Sequence, residues 1–379
     1  MLPYITTFGI SYILCSMAEY SLHRNRKRRA ALLFFLAVLV VSLLAGCRDI
    51  SVGADTISYT THFFDYIIES SADFSSCFLF FTQAYEPGFV VFEYIFSQIF
   101  NDSHWLLFWV AMIIYGFTLK SLLKYKNQCS VSFVWILFLT LTCTEAFNII
   151  RQYMAMAIGM YGFTCAMEKK YKRFIVWIVL AMSFHYGALI YIFIYLIYLF
   201  MKNKGVGVKP VVIVLSTIFA LLLLPEVTKL FNFGLISMKI AQYTTGGEYS
   251  FQANPFLIRL PYLVFILFWG RLFINGERGP NLHMFERKGE GEFFIMLLII
   301  ELIFSQARGI NVALYRFTSF LVFFKLIAYS RIVYLQKGIN RMVLQAITWI
   351  YMGIILVYWV AVLDSGRTYP YTSEILGIL

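Results

Sequence analysis

The chain has 379 residues and a formal net charge of +11, and it is 60% hydrophobic but only 13% charged. Soluble domains carry about 25% charged residues, so this composition excludes a soluble protein and predicts an all-α polytopic membrane protein. The basic residues lie in short clusters between apolar runs, which is typical of topology signals and does not indicate a nucleic-acid partner.

Apolar runs long enough to cross a bilayer recur along the whole chain. The first run lacks a basic leader and a cleavage site, so we interpret it as a span and not as a removable signal. The run 173–200 would form a helix of roughly 42 Å, longer than the bilayer core, and therefore predicts two short helices that turn near 183–187. The other predicted spans are 3–18, 30–46, 104–122, 130–146, 149–167, 210–225, 256–274, 292–306, 311–334 and 342–363. Together these runs predict about twelve crossings, with both termini outside.

Six basic clusters set the expected orientation. They lie at 23–29, 120–126, 168–173, 201–209, 271–288 and 331–341. By the positive-inside rule all six are cytoplasmic, which places the segments 47–103 and 226–255 outside. The first of these is interrupted at Glu86-Pro87-Gly88, and we expect a re-entrant helical hairpin there that enters the membrane without crossing it. The predicted organisation is one integral membrane domain, 1–379, with these two outer loops.

Two pairs of residues are candidates for structural contacts. Cys47 and Cys77 share the first outer loop and could form a disulfide in an oxidising space. Glu301 and Lys325 lie within predicted spans, and we expect them to pair. The six cysteines show no CxxC or Cys/His spacing, so we expect no metal site.

Polar residues from distant parts of the chain share the outer face in this topology. Ionisable groups at membrane depth are costly, and by default they are paired or functional. Several arginines on one face predict a phosphate or diphosphate ligand, because the guanidinium fork matches phosphate oxygens and stays charged. The residues on this face are Arg48, Asp49, Asp55, Tyr59, His62, Glu86, Glu145, Asn148, Arg151, His185, Arg308, Arg316, Asp364 and Arg367.

Structural alternatives exist for several of these residues. Asp55 precedes the helical pattern TISYTTHFFDYII and could cap that helix. Arg308 and Arg316 could extend to the lipid headgroups. His185 is either a packed histidine at a helix break or a proton carrier.

Four motifs carry a family resemblance. R-D-x-S-V-G-A-D-T-x-x-Y follows the second span, Y-E-P-G-F comes some thirty residues later, and N-I-I-R-Q and F-H-Y-G-A-L lie in mid-chain. In combination they resemble the EpsG branch of the Wzy-type polysaccharide polymerases. Carried over by position, the motif residues are Arg48, Gly53, Asp55, Thr56, Tyr59, Glu86, Arg151, Gln152 and His185, with a late arginine, Arg308 or Arg316.

The resemblance implies a glycosyltransferase of the bacterial cytoplasmic membrane, with a GT-C-like fold and an outward-facing site. Such a polymerase joins oligosaccharide repeat units linked to undecaprenyl diphosphate into O-antigen, capsule or exopolysaccharide chains. The partners that the resemblance implies are the lipid-linked oligosaccharide and membrane lipids. A flippase and a chain-length regulator are possible further partners. It implies no cofactor, no nucleotide sugar and no metal, in agreement with the lack of a DxD motif.

Charge suggests roles for the motif residues. Arg151, with Arg308 or Arg316, would neutralise the departing diphosphate, while Arg48, Tyr59 and Gln152 would complete the substrate site. A general base must accept the proton of the acceptor hydroxyl, and Asp55, Glu86 and His185 are unranked candidates.

Two other functional classes remain open from the sequence. A membrane O-acyltransferase would also place a histidine in the membrane, but it would tolerate alanine at Arg48 and Arg151. A transporter or flippase of lipid-linked sugars would be expected to have shorter loops than the segment 47–103.

Overall fold

The architecture is described from a computed structural model, which describes residues 1–202, 256, 259, 264, 290–306, 312–364 and 366–378. The chain divides into two compact units. Met1–Tyr191 and Met342–Leu379 form the first, and Ile192–Arg341 forms the second.

The regular structure of the described residues is helical. In the first unit the helices are α1 Leu2–His23, α2 Lys27–Gly46, α3 Thr56–Tyr59, α4 Tyr66–Ser70, α5 Phe74–Phe81, α6 Pro87–Ser97, α7 Ser103–Leu122, α8 Val131–Asn148, α9 Ile150–Met167 and α10 Tyr171–Phe184. A π-helical stretch, Thr60–Asp65, joins α3 to α4. The helices after these are α11 Ile190–Lys202, α12 Glu290–Ser305, α13 Val312–Phe320, α14 Val322–Leu335 and α15 Gly338–Val357.

Four helical stretches among the described residues are long and apolar enough to cross a membrane. They are Lys27–Gly46, Ser103–Tyr125, Val131–Asn148 and Gly338–Val362, and each matches a predicted span. The chain is therefore an all-α membrane protein, but the expected count of about twelve crossings is not supported.

The helix α9 shows one reason why the count of crossings differs. It has 18 residues, but nearly all of its side chains are buried against protein. It packs between α7 and α10. A helix that is surrounded by other helices needs no lipid-facing apolar surface, so polar residues such as Gln152 and Thr164 lower its hydropathy without exposing a polar group to lipid.

The predicted break within 173–200 is confirmed. The helix α10 ends at Phe184, His185 is extended with φ −161°, and a 3₁₀ turn over Tyr186–Leu189 precedes α11. With 14 and 13 residues, α10 and α11 are each only about 20 Å long, shorter than a bilayer core of about 30 Å.

A hairpin of two helices in the segment 47–103 is also confirmed. The helices α5 and α6 pack against each other, with the Phe74 and Tyr94 rings 5.1 Å apart in an edge-to-face arrangement. Pro87 occupies the first turn of α6, where its missing N–H breaks no helical hydrogen bond. The depth of this hairpin in the membrane stays a prediction, as does the GT-C-like fold.

The predicted span 311–334 is not one continuous helix in the structure. The helix α13 ends at Phe320 and α14 begins at Val322, so Leu321 interrupts the run. An apolar run alone cannot locate such an interruption, because both pieces are apolar on average. The predicted span 210–225, the loop 226–255 and most of the span 256–274 lie outside the described residues.

The second unit contains the predicted pair of Glu301 and Lys325. Their charged atoms are 3.5 Å apart, and Arg259 lies closer to the same carboxylate, at 2.8 Å. The expected pairing is thus confirmed, with Arg259 as an additional partner. All six cysteines have free thiols, so the disulfide considered for Cys47 and Cys77 is not formed.

Candidate functional site

Glu86, Arg151 and His185 meet in the first unit, although they lie at the ends of three different helices. Glu86 is the residue that precedes α6, Arg151 lies in the first turn of α9, and His185 directly follows α10. Arg151 Nη1 forms a salt bridge with Glu86 Oε2. His185 Nδ1 lies 2.9 Å from Glu86 Oε1. One buried carboxylate therefore holds both an arginine and a histidine.

A close approach of two helices makes this arrangement possible. A Cβ atom added to Gly88 would lie 2.2 Å from Ser183 Oγ and 2.8 Å from the Ser183 carbonyl oxygen. Only a residue without a side chain allows the start of α6 to lie so near the end of α10. Since Gly88 is two residues after Glu86 and Ser183 is two residues before His185, this contact sets the position of both groups.

The ionisation of Glu86 follows from its surroundings. Burial by itself would raise its pKa, because the side chain is only 5% exposed. The hydrogen bond to His185 and the charge of Arg151 outweigh that effect and lower the pKa of Glu86 below its ordinary value. Glu86 is therefore ionised at neutral pH, and both of its oxygens are engaged.

Aromatic rings surround the Arg151 guanidinium. Its central carbon lies 4.8 Å from the centre of the Tyr85 ring, 5.8 Å from that of Tyr59 and 5.9 Å from that of Phe89. Arg151 also shares a hydrogen bond with the Tyr59 hydroxyl. Burial raises the pKa of Tyr59, so this hydroxyl is neutral at pH 7. These contacts leave the Arg151 side chain 21% exposed, enough for a ligand to reach it.

Asp55 lies beside this cluster. Burial is the main cause of the raised pKa values of Tyr59 and Tyr85, and the nearby charge of Asp55 adds to that effect. The side chain is half-buried and makes no cap hydrogen bond to α3, although Asp55 occupies the position before that helix. Its own backbone N–H donates instead to Asn148 Oδ1, at 3.3 Å. Asn148 thus connects the loop before α3 to the end of α8.

The loop before Asp55 turns at Gly53, whose φ is +109°. A side chain is strained in that region of backbone space, and an added Cβ would lie 2.4 Å from Thr56 Oγ1. The Thr56 hydroxyl in turn donates to the carbonyl of Val52 at 3.0 Å. The G-x-D-T spacing of the motif therefore builds a closed turn that presents Asp55.

Arg48 lies under this turn and is only 2% exposed. Its Nη2 donates to the Phe147 carbonyl at 3.0 Å and to Thr56 Oγ1 at 3.4 Å, and its guanidinium lies 4.1 Å from the centre of the Phe147 ring. Burial lowers the pKa of Arg48 to about 10, which still leaves it protonated at neutral pH. Its described contacts hold the loop 47–55 against the end of α8.

The C-terminal tail, residues 366–378, completes the same loop. Gly53 and Ala54 donate backbone hydrogen bonds to Arg367 and Gly366, at 2.8 and 2.7 Å, and Asp49 donates to Thr372 at 3.1 Å. The Tyr371 hydroxyl donates to the carbonyl of Leu44 at 2.8 Å, and that of Tyr4 to Thr368 at 2.6 Å. The last residues of the chain therefore hold the loop that carries Asp55.

The structure brings together five of the residues expected from the sequence, namely Asp55, Tyr59, Glu86, Arg151 and His185. Gln152 follows Arg151 but is buried. Arg316 belongs to the second unit, where it is half-buried, and Arg308 lies outside the described residues.

Sequence reasoning missed two contributors. It did not assign Tyr85 to the cluster either, although that residue precedes Glu86 within the Y-E-P-G-F motif. Glu93, seven residues after Glu86, is buried, and neither carboxylate oxygen has a hydrogen-bond partner among the described residues. The second missed contributor is the C-terminal tail, whose sequence YPYTS after the last span is too short to be recognised as a motif.

Within the part of the chain that the structure describes, no three His, Cys, Asp or Glu side chains are grouped to hold a metal ion.

Comparison with known proteins matches the chain to a family. The model of the EpsG family matches residues 31–373, nearly the whole chain. The matched range contains every residue of the cluster and most of the C-terminal tail. No curated protein and no solved structure matches the chain.

Proposed function

The chain belongs to the EpsG family, which is a family of polysaccharide polymerase-like membrane proteins, and we propose that it joins lipid-linked oligosaccharide repeat units into a surface polysaccharide. In this proposal the donor is linked to undecaprenyl diphosphate, and the site faces the outer side of the bacterial cytoplasmic membrane. The observation that carries the proposal is the contact of Glu86 with both Arg151 and His185.

The proposed reaction is a glycosyl transfer. A hydroxyl oxygen of the acceptor sugar forms a bond to the anomeric carbon of the donor, while the bond between that carbon and the diphosphate oxygen breaks. The bonding electrons leave with undecaprenyl diphosphate, and the hydroxyl proton passes to a base. Such a site needs a cation for the leaving group and a base within hydrogen-bond reach of the acceptor.

His185 is the base that the geometry favours. Both Glu86 oxygens are engaged and its pKa is lowered, so Glu86 is a poor proton acceptor. When Nδ1–H of His185 donates to Glu86, the lone pair that accepts a proton is on Nε2. Glu86 would then act as a positioning residue that fixes the tautomer of His185. Asp55 is the remaining candidate, since it lies beside the cluster and is half-buried.

Arg151 would bind the diphosphate. Its charge is balanced by Glu86 in the absence of substrate, so a diphosphate needs further cationic contacts. Arg308 or Arg316 would supply them, as proposed from the sequence. Tyr186, which follows His185 and is 55% exposed, offers an aromatic face on which a sugar ring of the acceptor could stack.

The test is an assay of purified protein in lipid nanodiscs with a repeat unit linked to undecaprenyl diphosphate. We expect a ladder of polymer lengths from the wild type. Arg151→Ala should lower the rate by about 100-fold or more, the loss seen when one electrostatic contact to a developing charge is removed. The matched control is Arg173→Ala, an exposed arginine at the start of α10, the helix whose other end leads to His185.

The result also separates the alternative classes. An O-acyltransferase would modify the unit without lengthening it, and a flippase would move it across the bilayer unchanged. A normal ladder from Arg151→Ala would contradict the assignment of the site.

A further inference from the structure

A cavity of about 420 Å³ lies where α1 meets α2. Arg24, Arg26 and Arg29 line it, and the Arg24 guanidinium is placed 5.5 Å from the centre of the Tyr20 ring. The helix α2 begins beside this cavity and has 20 residues. At 1.5 Å per residue, the cavity therefore lies about 30 Å along that helix from the loop that carries Asp55.

The cavity has an excess of positive charge. Its three arginines form no salt bridge within the part of the chain that the structure describes. The nearest acidic residue along α1, Glu19, accepts hydrogen bonds from the backbone N–H groups of Val131 and Ser132 at the start of α8, at 2.8 and 3.1 Å. Its carboxylate is thus used to connect α1 with α8.

Two further features favour an anion in this cavity. The first turn of α2 has no side-chain cap, so its backbone N–H groups add positive potential. Ser16, which also lines the cavity, has a buried hydroxyl without a hydrogen-bond partner among the described residues.

An apolar stripe on α1 leads to the same cavity. Ile10, Ile13, Met17 and Tyr20 follow one another at helical spacing and are 50%, 57%, 42% and 62% exposed. Met17 and Tyr20 also line the cavity. A ligand that fills this site therefore needs a negative group for the arginines and hydrocarbon for the stripe.

We propose that this cavity binds the phosphate headgroup of an anionic phospholipid, whose acyl chains lie along the α1 stripe. One guanidinium group binds two phosphate oxygens at once. Three guanidinium groups around one cavity therefore fit a single phosphate headgroup. A topology signal needs only positive charge. It does not require a cavity or a particular set of arginines around one. The site is thus a defined one within the basic segment 23–29.

The test compares two double variants that remove equal charge from the same segment. Arg26→Ala with Arg29→Ala changes two residues of the cavity. Lys27→Ala with Arg28→Ala changes their neighbours, which do not line it. Each protein is extracted from phosphatidylglycerol nanodiscs, and the lipid that stays bound is measured by native mass spectrometry. Both pairs lose the same general attraction to the lipid surface, but only the first pair also loses contacts inside the cavity. We therefore expect the first pair to retain at least tenfold less phosphatidylglycerol than the second.

Equal losses of bound phosphatidylglycerol in the two pairs would overturn the proposal.

A measurement on the wild type keeps the proposal testable if a variant inserts poorly. Hydrogen exchange of residues 24–29 should be slower in phosphatidylglycerol than in phosphatidylcholine nanodiscs, and equal exchange would also contradict a lipid site. Inorganic phosphate is added in a separate sample. If it alone gives the full protection in phosphatidylcholine, the site takes free phosphate, and the assignment to a lipid is wrong.

Discussion

Glu86 determines the chemistry of the cluster, because each of its oxygens has a partner with a different proposed role. Oε2 holds the Arg151 cation and Oε1 holds the His185 ring. Removal of its charge would weaken both contacts in one step. Loss of the Glu86 charge would therefore affect the arginine and the histidine together.

The effect of pH on stability follows from the lowered pKa of Glu86. A carboxylate whose folded pKa lies below its unfolded value stabilises the fold fully above the unfolded value and loses that contribution as pH falls through the folded one. The ordinary value is 4.5, so the loss should occur only below it. We expect Glu86→Gln to lower the melting temperature near neutral pH, and to lower it by less below pH 4.5.

Thermal melts in nanodiscs across this pH range would measure the effect. Glu69→Gln is a suitable control, since Glu69 is exposed on α4. A difference between Glu86→Gln and wild type that persists unchanged well below pH 4 would show that the Glu86 charge contributes nothing to the fold.

Arg48 should matter for stability and not for substrate affinity. Removal of a buried hydrogen-bond donor leaves its acceptor unsatisfied at a cost of roughly 1–3 kcal/mol, and Arg48 supplies donors to Phe147 and Thr56. We therefore expect Arg48→Met to lower the melting temperature by several degrees, while the KM for the lipid-linked unit changes less than threefold below the melting range. A large rise in KM with unchanged melting would instead assign Arg48 to substrate binding.

At the scale of elements, the approach of α6 to α10 produces the site. Neither helix contains the cluster by itself, and the contact between Gly88 and Ser183 sets the distance between Glu86 and His185. Two short helices that end near each other give a precise site in this way, because each catalytic candidate lies at a helix end and its backbone is fixed by the helix.

Gly88→Ala tests this contact. The new Cβ would overlap Ser183 and force the helices apart, at a cost of about 1–3 kcal/mol, and a displacement of about 1 Å at the cluster lowers rates by as much as 100-fold. Gly116→Ala in α7 is the matched control, because a Cβ there meets nothing within 4 Å. We expect that control to retain activity and to be as stable as wild type or slightly more so, since alanine favours a helix. Equal activity of the two variants would show that the Gly88 contact does not position the site.

How far the sequence predicts these elements depends on the kind of signal. Charge and hydropathy predicted the break at His185 and the hairpin at Glu86, because a helix of 28 residues is too long and Pro87 cannot continue one. The meeting of Glu86, Arg151 and His185 was suggested only by their shared face. The burial of these residues and the position of Arg48 beneath the loop depend on packing between residues about a hundred positions apart. No local sequence pattern encodes such packing.

At the scale of the whole molecule, the first unit is closed by its own chain ends. Tyr4 near the start donates to Thr368 near the end, and the two aromatic rings of Tyr4 and Tyr371 lie 5.6 Å apart. Both contacts lie beside the loop of Gly53 and Asp55. The order of that loop therefore depends on residues that are more than three hundred positions away in the chain, and the C-terminal tail behaves as part of the site.

Deletion of residues 366–379 should disturb the site and leave the rest of the fold intact. The loop 49–54 would lose its backbone acceptors at Gly366, Arg367 and Thr372, each hydrogen bond contributing about 1 kcal/mol, while the four candidate spans keep their own helical hydrogen bonds. We expect the shortened protein to insert at wild-type levels, to polymerise at least tenfold more slowly, and to show faster hydrogen exchange at residues 49–56. Leu376→Ala, which changes an exposed side chain of the tail, should leave both the exchange and the rate unchanged. Slower polymerisation without faster exchange in that loop would mean that the tail acts on the substrate directly and does not position Asp55.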